Sequence, residues 1–377
     1  MSSLLLAFLV SVASTGLIVR TSRIHGAAWH DHQLQGVQKF HSHAVPRVGG
    51  LGVVLGLAGV AAWVDWSHSG PARDIMLTLV CGLPPLLAGL LEDVTKEVGV
   101  KVRLLATALS GVLAFFFLGA ELREVQFPVL DSLMSLAWFS VLFTVVAVAG
   151  VANAVNIIDG YNGLAAMVVI IALLSLAYVG LQVGDNLVVS MAMAGVGALL
   201  GFLVWNWPRG LIFLGDGGAY FIGYLVAVLS LLLVARNRGV VSPWYPLLLF
   251  IYPVFETLFS IWRKWVVRGG SPGVPDGLHL HMLVFRRLVR WAVGRRDAAN
   301  LTLRNSMTAP YLWMLSSAAA VPATLFWRHP QVLQACVAVF CLLYIWLYLR
   351  LVRFHAPRWM VISSPRAGPP TPPQDRL

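Results

Sequence analysis

The chain has 377 residues, 58% of them hydrophobic and only 11% charged, with a mean hydropathy of +0.78. That is too little polar surface to coat a soluble globule of this size, which excludes a water-soluble enzyme and points to an integral membrane protein. A formal net charge of +11 would suggest nucleic acid as the partner of a soluble chain. In a membrane protein the sidedness of the charge matters instead, so nucleic acid is not an expected partner.

A helix crosses the hydrocarbon layer with roughly 17 to 25 mostly apolar residues, and by that measure about eleven segments qualify. They are 2–19, 49–66, 75–91, 102–119, 133–151, 163–181, 187–205, 217–235, 243–262, 310–327 and 331–349. The expected fold is therefore an all-α, polytopic membrane helix bundle. The first segment has no basic residue before it and no small-residue cleavage site, and reads as a retained helix rather than a signal peptide. Cys81, Cys336 and Cys341 fall inside apolar segments, without metal-site spacing, and read as packing residues. The even-numbered gaps between segments hold only Arg73, Arg123, Arg236, Arg238 and Arg328; every other Lys and Arg lies in an odd-numbered gap or the C-terminal tail, with Arg103 counted to the third gap at whose edge it stands. The positive-inside rule then places the odd gaps and the C-terminus in the cytoplasm and the N-terminus outside. The eighth gap, with Arg236 and Arg238, fits this least well. Residues 1–362 read as a single transmembrane domain without internal repeats, and 363–377, rich in proline, as a disordered cytoplasmic tail.

The odd gaps hold the residues able to do chemistry. In the first, Lys39, His41, His43 and Arg47 precede Gly49 and Gly50 at a helix start, where cations and a close backbone approach suit a phosphate. The third reads GLLEDVTK, with Glu92 and Asp93 adjacent at a helix end and Lys96 one turn on; carboxylates this near to hydrocarbon are costly unless paired, wet or bound to a cation. The fifth, NAVNIIDGYNGLA, gathers Asn153, Asn156, Asp159 and Asn162 with two glycines, a set suited either to a nucleotide base and ribose or to a tight turn. In the seventh, NWPRGLIFLGDGGA, Asn206 opens the gap and Asp216 stands between glycines at a helix mouth. Asp216 suits a divalent cation shared with phosphates, or an N-cap, while Phe213 suits stacking on a base. The ninth carries His279 and His281; two His at i and i+2 do not share a helix face, which argues against a two-His zinc site and for phosphate contacts. From His279 to Trp291, Leu280, Leu283, Val284 and Leu288 alternate with Arg286, Arg287 and Arg290 in the pattern of a basic amphipathic helix at the membrane interface. The five clusters share one side, which marks them as parts of a single site.

These motifs resemble the polyprenyl-phosphate N-acetylhexosamine-1-phosphate transferases, the group that includes the phospho-MurNAc-pentapeptide translocase and the enzymes initiating O-antigen and teichoic acid synthesis. The resemblance spans residues 39 to 285. KFHSHAVPRVGG is similar to the family's Lys-x-His…Gly-Gly loop, GLLEDVTK to its paired-aspartate motif with Glu92 in place of the first Asp, and NAVNIIDGYNGLA to its nucleotide-binding element with Asn162 where many members have Asp. FLGDGG resembles the magnesium-binding Phe-x-Gly-Asp motif, and HLHM the His-x-His-His motif with Met282 in the third place.

The resemblance implies a cytoplasmic active site in a bacterial inner membrane, Mg²⁺ as cofactor with Mn²⁺ as an alternative, a UDP-linked amino sugar as donor and a polyprenyl phosphate, usually undecaprenyl phosphate, as acceptor. It implies Asp216 as metal ligand; Asp93, Glu92, Asp159 and Lys96 as catalytic residues; and Lys39, His41, Asn153, Asn156, Asn162, Asn206, Phe213, His279 and His281 as substrate-binding residues. Monomer and homodimer both stay open. Two other readings also do: a transporter of an anionic sugar nucleotide or lipid precursor, for which Glu256 inside a span is the main feature, and a non-catalytic relative that binds prenyl phosphate.

Overall fold

The structure, a computed structural model, describes residues 2–25, 45–68, 70–267, 277–289 and 298–353. Lys39, His41, Trp291 and the proline-rich 363–377 segment lie outside the described residues. Those described form helices joined by short turns, with no strand among them. In chain order the helices are α1 (Ser2–His25), α2 (Gly49–Ser67), α3 (Ala72–Cys81), α4 (Leu83–Thr95), α5 (Val100–Leu118), α6 (Pro128–Met134), α7 (Ala137–Ile158), α8 (Leu164–Val183), α9 (Asn186–Asn206), α10 (Gly215–Arg236), α11 (Trp244–Leu249), α12 (Ile251–Trp262), α13 (Leu280–Val284), α14 (Ala298–Leu325) and α15 (Pro330–Val352). A π-helical turn extends α12 over Arg263–Val267 and another extends α13 over Phe285–Val289.

Nine spans among the described residues are long and apolar enough to cross a membrane, with α3 and α4 together making one of them. The protein is a multi-pass membrane protein. Two of the expected eleven segments take another form. Residues 243–262 break into α11 and α12 at Phe250, flanked by Pro246 and Pro253, since proline removes a backbone donor and crowds the preceding turn. Of residues 310–327, those up to Leu325 form the C-terminal part of α14, whose N-terminal part carries Arg304, Asn305, Ser306 and Thr308, all buried in protein.

The bundle is organised around α10. Its apolar window is 94% buried inside the protein, against 22% for α1 and for α5, so α10 is the central helix and those two face outward. It packs against α2, α4, α5, α7, α8 and α9. Without a hydrophobic driving force between helices in lipid, close approach at small residues holds such bundles together. A Cβ on Gly89 of α4 would lie under 3.0 Å from the Gly217 backbone, and one on Gly50 of α2 would collide likewise with Gly218. On the other flank α1 and α9 meet at Gly197 and Gly201, with Ser11 Oγ donating to Ala198 O at 2.7 Å and Trp205 Nε1 to Val12 O at 3.0 Å.

The two ends of the bundle differ in charge. At one, residues of the even gaps and the helix ends beside them meet: Arg236 pairs with Asp74 at 3.0 Å and Asp185 at 3.6 Å, while Glu121 receives Arg123 at 2.6 Å and Arg238 at 3.6 Å. The Arg236–Asp74 pair is exposed on both sides and adds little stability. The pairs do explain the eighth gap: its two arginines are balanced by local acids. At the other end the odd gaps converge.

The segment expected to be an interfacial amphipathic helix is instead part of the packed protein. Leu280, Leu283, Val284 and Leu288 are each no more than 1% exposed to solvent, and Phe285 stacks beneath the Arg304 guanidinium at 4.7 Å. The apolar face meets α14 and α15 rather than lipid.

The packing at α10 predicts unequal tolerance for one substitution. Gly89→Leu forces α4 and α10 apart at a cost of about 1–3 kcal/mol, and should lower the melting temperature and monodispersity of the detergent-solubilised protein. Gly150→Leu on α7, whose Cβ would meet nothing within 4 Å, should leave both unchanged.

Candidate active site

The site is built on the first turn of α10. Phe213 N donates to Pro46 O at 2.9 Å, Gly49 N to Phe213 O at 2.9 Å and Gly50 N to Leu214 O at 2.8 Å, so the end of the first gap is clipped along the seventh. Gly215 has φ +77°, and a Cβ there would run into the Arg47 carbonyl oxygen and Asp93 Oδ2. Only glycine lets the chain turn into α10 this close to both neighbours. Gly49 and Gly50, expected to let a phosphate approach, are buried against Phe202, Phe213 and Gly218. Their smallness is used to seat α10.

Asp216 projects from this turn and is partly exposed. Its Oδ2 accepts an ion-paired hydrogen bond from Arg103 Nη1 of α5, and its Oδ1 accepts from Asn156 Nδ2 of α7 at 3.2 Å. Beside it Asp93, 5% exposed at the end of α4, accepts from Gly217 N at 3.1 Å through Oδ2, while its Oδ1 is buried with no hydrogen-bond partner. Arg47 and Lys96 act electrostatically on Asp93, as does Glu92, which is half-buried. Asn153 accepts from Tyr220 Oη at 3.2 Å, and the Tyr220 ring lies 5.9 Å from the Arg103 guanidinium carbon.

Asp159 caps α7. The surrounding protein excludes enough water to push its carboxyl up to about 7, with Arg47 opposing the rise and the Asp93 charge adding to it. Asp93 and Asp216 thus stand together at the first turn of α10 with Arg103, and Asp159 is near enough to feel the charges of Arg47 and Asp93.

The remaining amides of the fifth and seventh gaps face elsewhere. Asn162 is 4% exposed: its N–H donates to Asn305 Oδ1 at 2.8 Å, and its Nδ2 to Ser306 Oγ at 3.2 Å and Pro208 O at 3.4 Å. Asn206 accepts from Gly163 N at 2.6 Å and donates to Ile212 O at 2.7 Å. Trp207 Nε1 donates to Ser306 O at 3.2 Å and Trp313 Nε1 to Gly163 O at 3.1 Å. These residues form a latch that fastens both gaps to α14. Phe213 is half-buried between the latch and the clip.

The histidines approach the fifth gap from the ninth. Their rings stack 5.2 Å apart at 3°, and the His281 ring stands edge-on to Tyr161 at 5.6 Å, against Gly160. Burial pushes His281 down to about 3, so it is a neutral imidazole. His279 Nδ1 lies 2.9 Å from Glu256 Oε1.

Sequence reasoning missed Arg103 as a site residue. The signal was available: a cation in the first turn of α5 opposes the helix dipole there, so a partner outside the helix was to be expected.

Among the described residues no three His, Cys, Asp or Glu side chains are grouped to enclose a metal ion. A site with one carboxylate suits Mg²⁺ completed by phosphate oxygens and water, the way that ion is held for phosphoryl transfer. Asp216 fits this: it already accepts a cationic group at Oδ2, and the unpartnered Asp93 Oδ1 is a second anionic acceptor nearby.

A multi-pass helical bundle whose odd gaps bring three aspartates and several cations to one end defines a membrane protein built for phosphate-bearing substrates. The chain belongs to glycosyl transferase family 4, whose profile matches residues 75–234. It is 29% identical over 262 residues to the probable undecaprenyl-phosphate N-acetylglucosaminyl 1-phosphate transferase of Bacillus subtilis, covering 69% of this chain and 70% of that one. It is 30% identical over 246 residues to the phospho-N-acetylmuramoyl-pentapeptide-transferase of Lacticaseibacillus paracasei, covering 62% and 71%. With the decaprenyl-phosphate N-acetylglucosaminephosphotransferase of Mycolicibacterium smegmatis it shares 29% identity over 321 residues, 77% and 74%.

The Asp159 carboxyl makes a pH-dependent contribution to stability. An unfolded aspartate titrates near 3.9, so the extra proton held by the folded protein stabilises it fully below about pH 4, and that stability is lost as pH rises through about 7. Asp159→Asn should flatten the fall of melting temperature between those values, measured by thermal unfolding in detergent; an unchanged slope would remove the assignment.

Proposed function

We propose that this protein transfers an N-acetylated amino-sugar 1-phosphate from a UDP-sugar to a polyprenyl phosphate, undecaprenyl phosphate or a close homologue, and releases UMP. The reaction takes place at the cytoplasmic face of a bacterial inner membrane and opens the synthesis of an envelope polysaccharide. The convergence of Asp93, Asp159 and Asp216 with Arg47 and Arg103 carries this reading, and the names of the relatives in family 4 supply the substrate class.

An oxygen of the lipid phosphate attacks the sugar-linked phosphorus of the donor. A new P–O bond forms, the P–O bond to UMP breaks, and UMP leaves with the electron pair. A phosphate monoester has a second pKa near 6, so the nucleophile is largely ionised at neutral pH and needs no strong base. The obstacle is the meeting of two anions. Asp216 would hold Mg²⁺, or Mn²⁺ in its place, and the ion supplies positive charge to the donor diphosphate. Arg47, Lys96 and Arg103 supply the protein's own positive charge around the phosphates. Asp93, fixed by Gly217 N, orients the acceptor phosphate beside its free Oδ1. Lys39 and His41 belong to the same phosphate-binding region, while Asn153, Asn156 and Phe213 serve the nucleotide.

A transporter needs polar groups along a path through the membrane. Glu256, the main feature favouring that reading, is bonded to His279, Leu280 and Tyr344 and anchors a local structure. A prenyl-phosphate-binding relative without catalysis makes the opposite prediction in the assay below.

Purified protein given Mg²⁺, undecaprenyl phosphate and a panel of UDP-amino sugars should release UMP with at least one donor; no release with any of them overturns the proposal. Asp216→Asn should abolish the divalent-ion dependence together with at least about 100-fold of the turnover. Asp93→Asn should lower turnover by a similar factor with donor affinity, measured by binding, retained.

A further inference from the structure

Glu256 lies in α12, 0% exposed, and its carboxylate is enclosed by donors from three directions. Oε1 lies 2.9 Å from His279 Nδ1, both oxygens lie 3.2 Å from Leu280 N, and Oε2 accepts from Tyr344 Oη of α15 at 2.6 Å. A buried carboxylate is costly unless it is paired and fully bonded, and this one binds both the side chain of His279 and the backbone of the next residue. The approach to the histidines is fixed too: Arg263 donates to Leu278 O at 2.9 Å and to Tyr348 Oη at 2.7 Å. His281, stacked on His279, has a buried Nδ1 with no partner and carries the pair across to Gly160 and Tyr161.

The two histidines therefore differ although the sequence presents them alike. Among the described residues only His279 is hydrogen-bonded to a carboxylate, although the Glu256 charge also reaches His281. An imidazole that donates Nδ1–H to Glu256 is held in one tautomer and one ring orientation, with Nε2 left for a ligand. A phosphate oxygen only accepts hydrogen bonds, so the ring that meets it carries a proton on Nε2 as well, and the Glu256 carboxylate balances the resulting charge.

We propose that Glu256 is the positioning residue for donor binding: it fixes His279 through Nδ1 so that Nε2–H binds the diphosphate of the sugar nucleotide. This rests on the transferase reading above. It also gives His279 and His281 separate tasks, His279 as the charged phosphate contact and His281 as a neutral ring that stacks it against the fifth gap.

Two measurements test this. In the purified wild-type protein, ¹⁵N NMR of selectively labelled histidine, with His279 assigned from a His279→Gln variant, should show Nδ1 protonated in the absence of substrate. A ring protonated on Nε2 alone overturns the proposal, whether or not UMP is released. In the UMP-release assay, Glu256→Gln and His279→Ala should each raise KM for the UDP-sugar about tenfold, the scale of a lost charge-assisted hydrogen bond. KM for the polyprenyl phosphate should stay within about twofold. The double variant should be no worse than His279→Ala alone, since the two residues act through one contact. Additive losses, or equal rises in KM for both substrates, would show a merely structural role and overturn the assignment. If the wild type releases no UMP, the transferase reading fails and the donor-binding role with it, while the tautomer still reports on the pairing itself.

Discussion

The first turn of α10 carries Asp216 and is packed between α2 and α4 at distances that only glycine allows. Gly50 and Gly218 face each other on one side, Gly89 and Gly217 on the other, and the Gly215 turn brings Asp93 Oδ2 within reach of the Gly217 N–H. This close seating lets carboxylates from separate helices share one basin, because a single extra methyl at any of these positions would part the backbones that hold them. Gly50 and the glycines around Asp216, which look in sequence like features of a ligand site, therefore act one step earlier, together with Gly89: they set the spacing of the acids.

Charge is managed differently at the two ends of the bundle. At the even-gap end Arg236, Arg238 and Arg123 meet Asp74, Asp185 and Glu121 in ion pairs whose charges cancel. At the odd-gap end Asp216 is paired with Arg103, Arg47 acts on both Asp93 and Asp159, and Asp93 Oδ1 is buried without a hydrogen bond. Glu256 shows the contrary case. Its carboxylate is fully bonded, which suits a residue that holds another group still.

Much of this was readable in advance. Asp93, Asn156 and Asp216 stood out because a polar side chain at the edge of an apolar span needs a reason, and the structure brings all three together. Nine of the spans follow from hydropathy alone. The break at Phe250 was hidden because α11 and α12 are each apolar and only their prolines mark the division. The 279–291 segment misled for a related reason: an apolar helix face looks the same in sequence whether it meets lipid or α14. Asn162 and Asn206 have the composition of a nucleotide contact, yet their amides bond to the backbone and to Asn305 and Ser306, partners more than a hundred residues away in the first case. The pairing of Glu256 with His279 joins a residue inside an apolar stretch to one beyond it, and no local pattern encodes that.

The latch onto α14 has a consequence for biogenesis. Asn305 and Ser306 fasten to Asn162 and Pro208 across sequence separations of 143 and 98 residues, so both gaps stay unfastened while the ribosome is still making the chain between. The fastening of the fifth and seventh gaps to α14 therefore has to wait until α14 itself has been made. A chain truncated before α14 would keep the Gly163–Asn206 tie between the two gaps but would lack the bonds from Asn162 and Pro208 to Asn305 and Ser306.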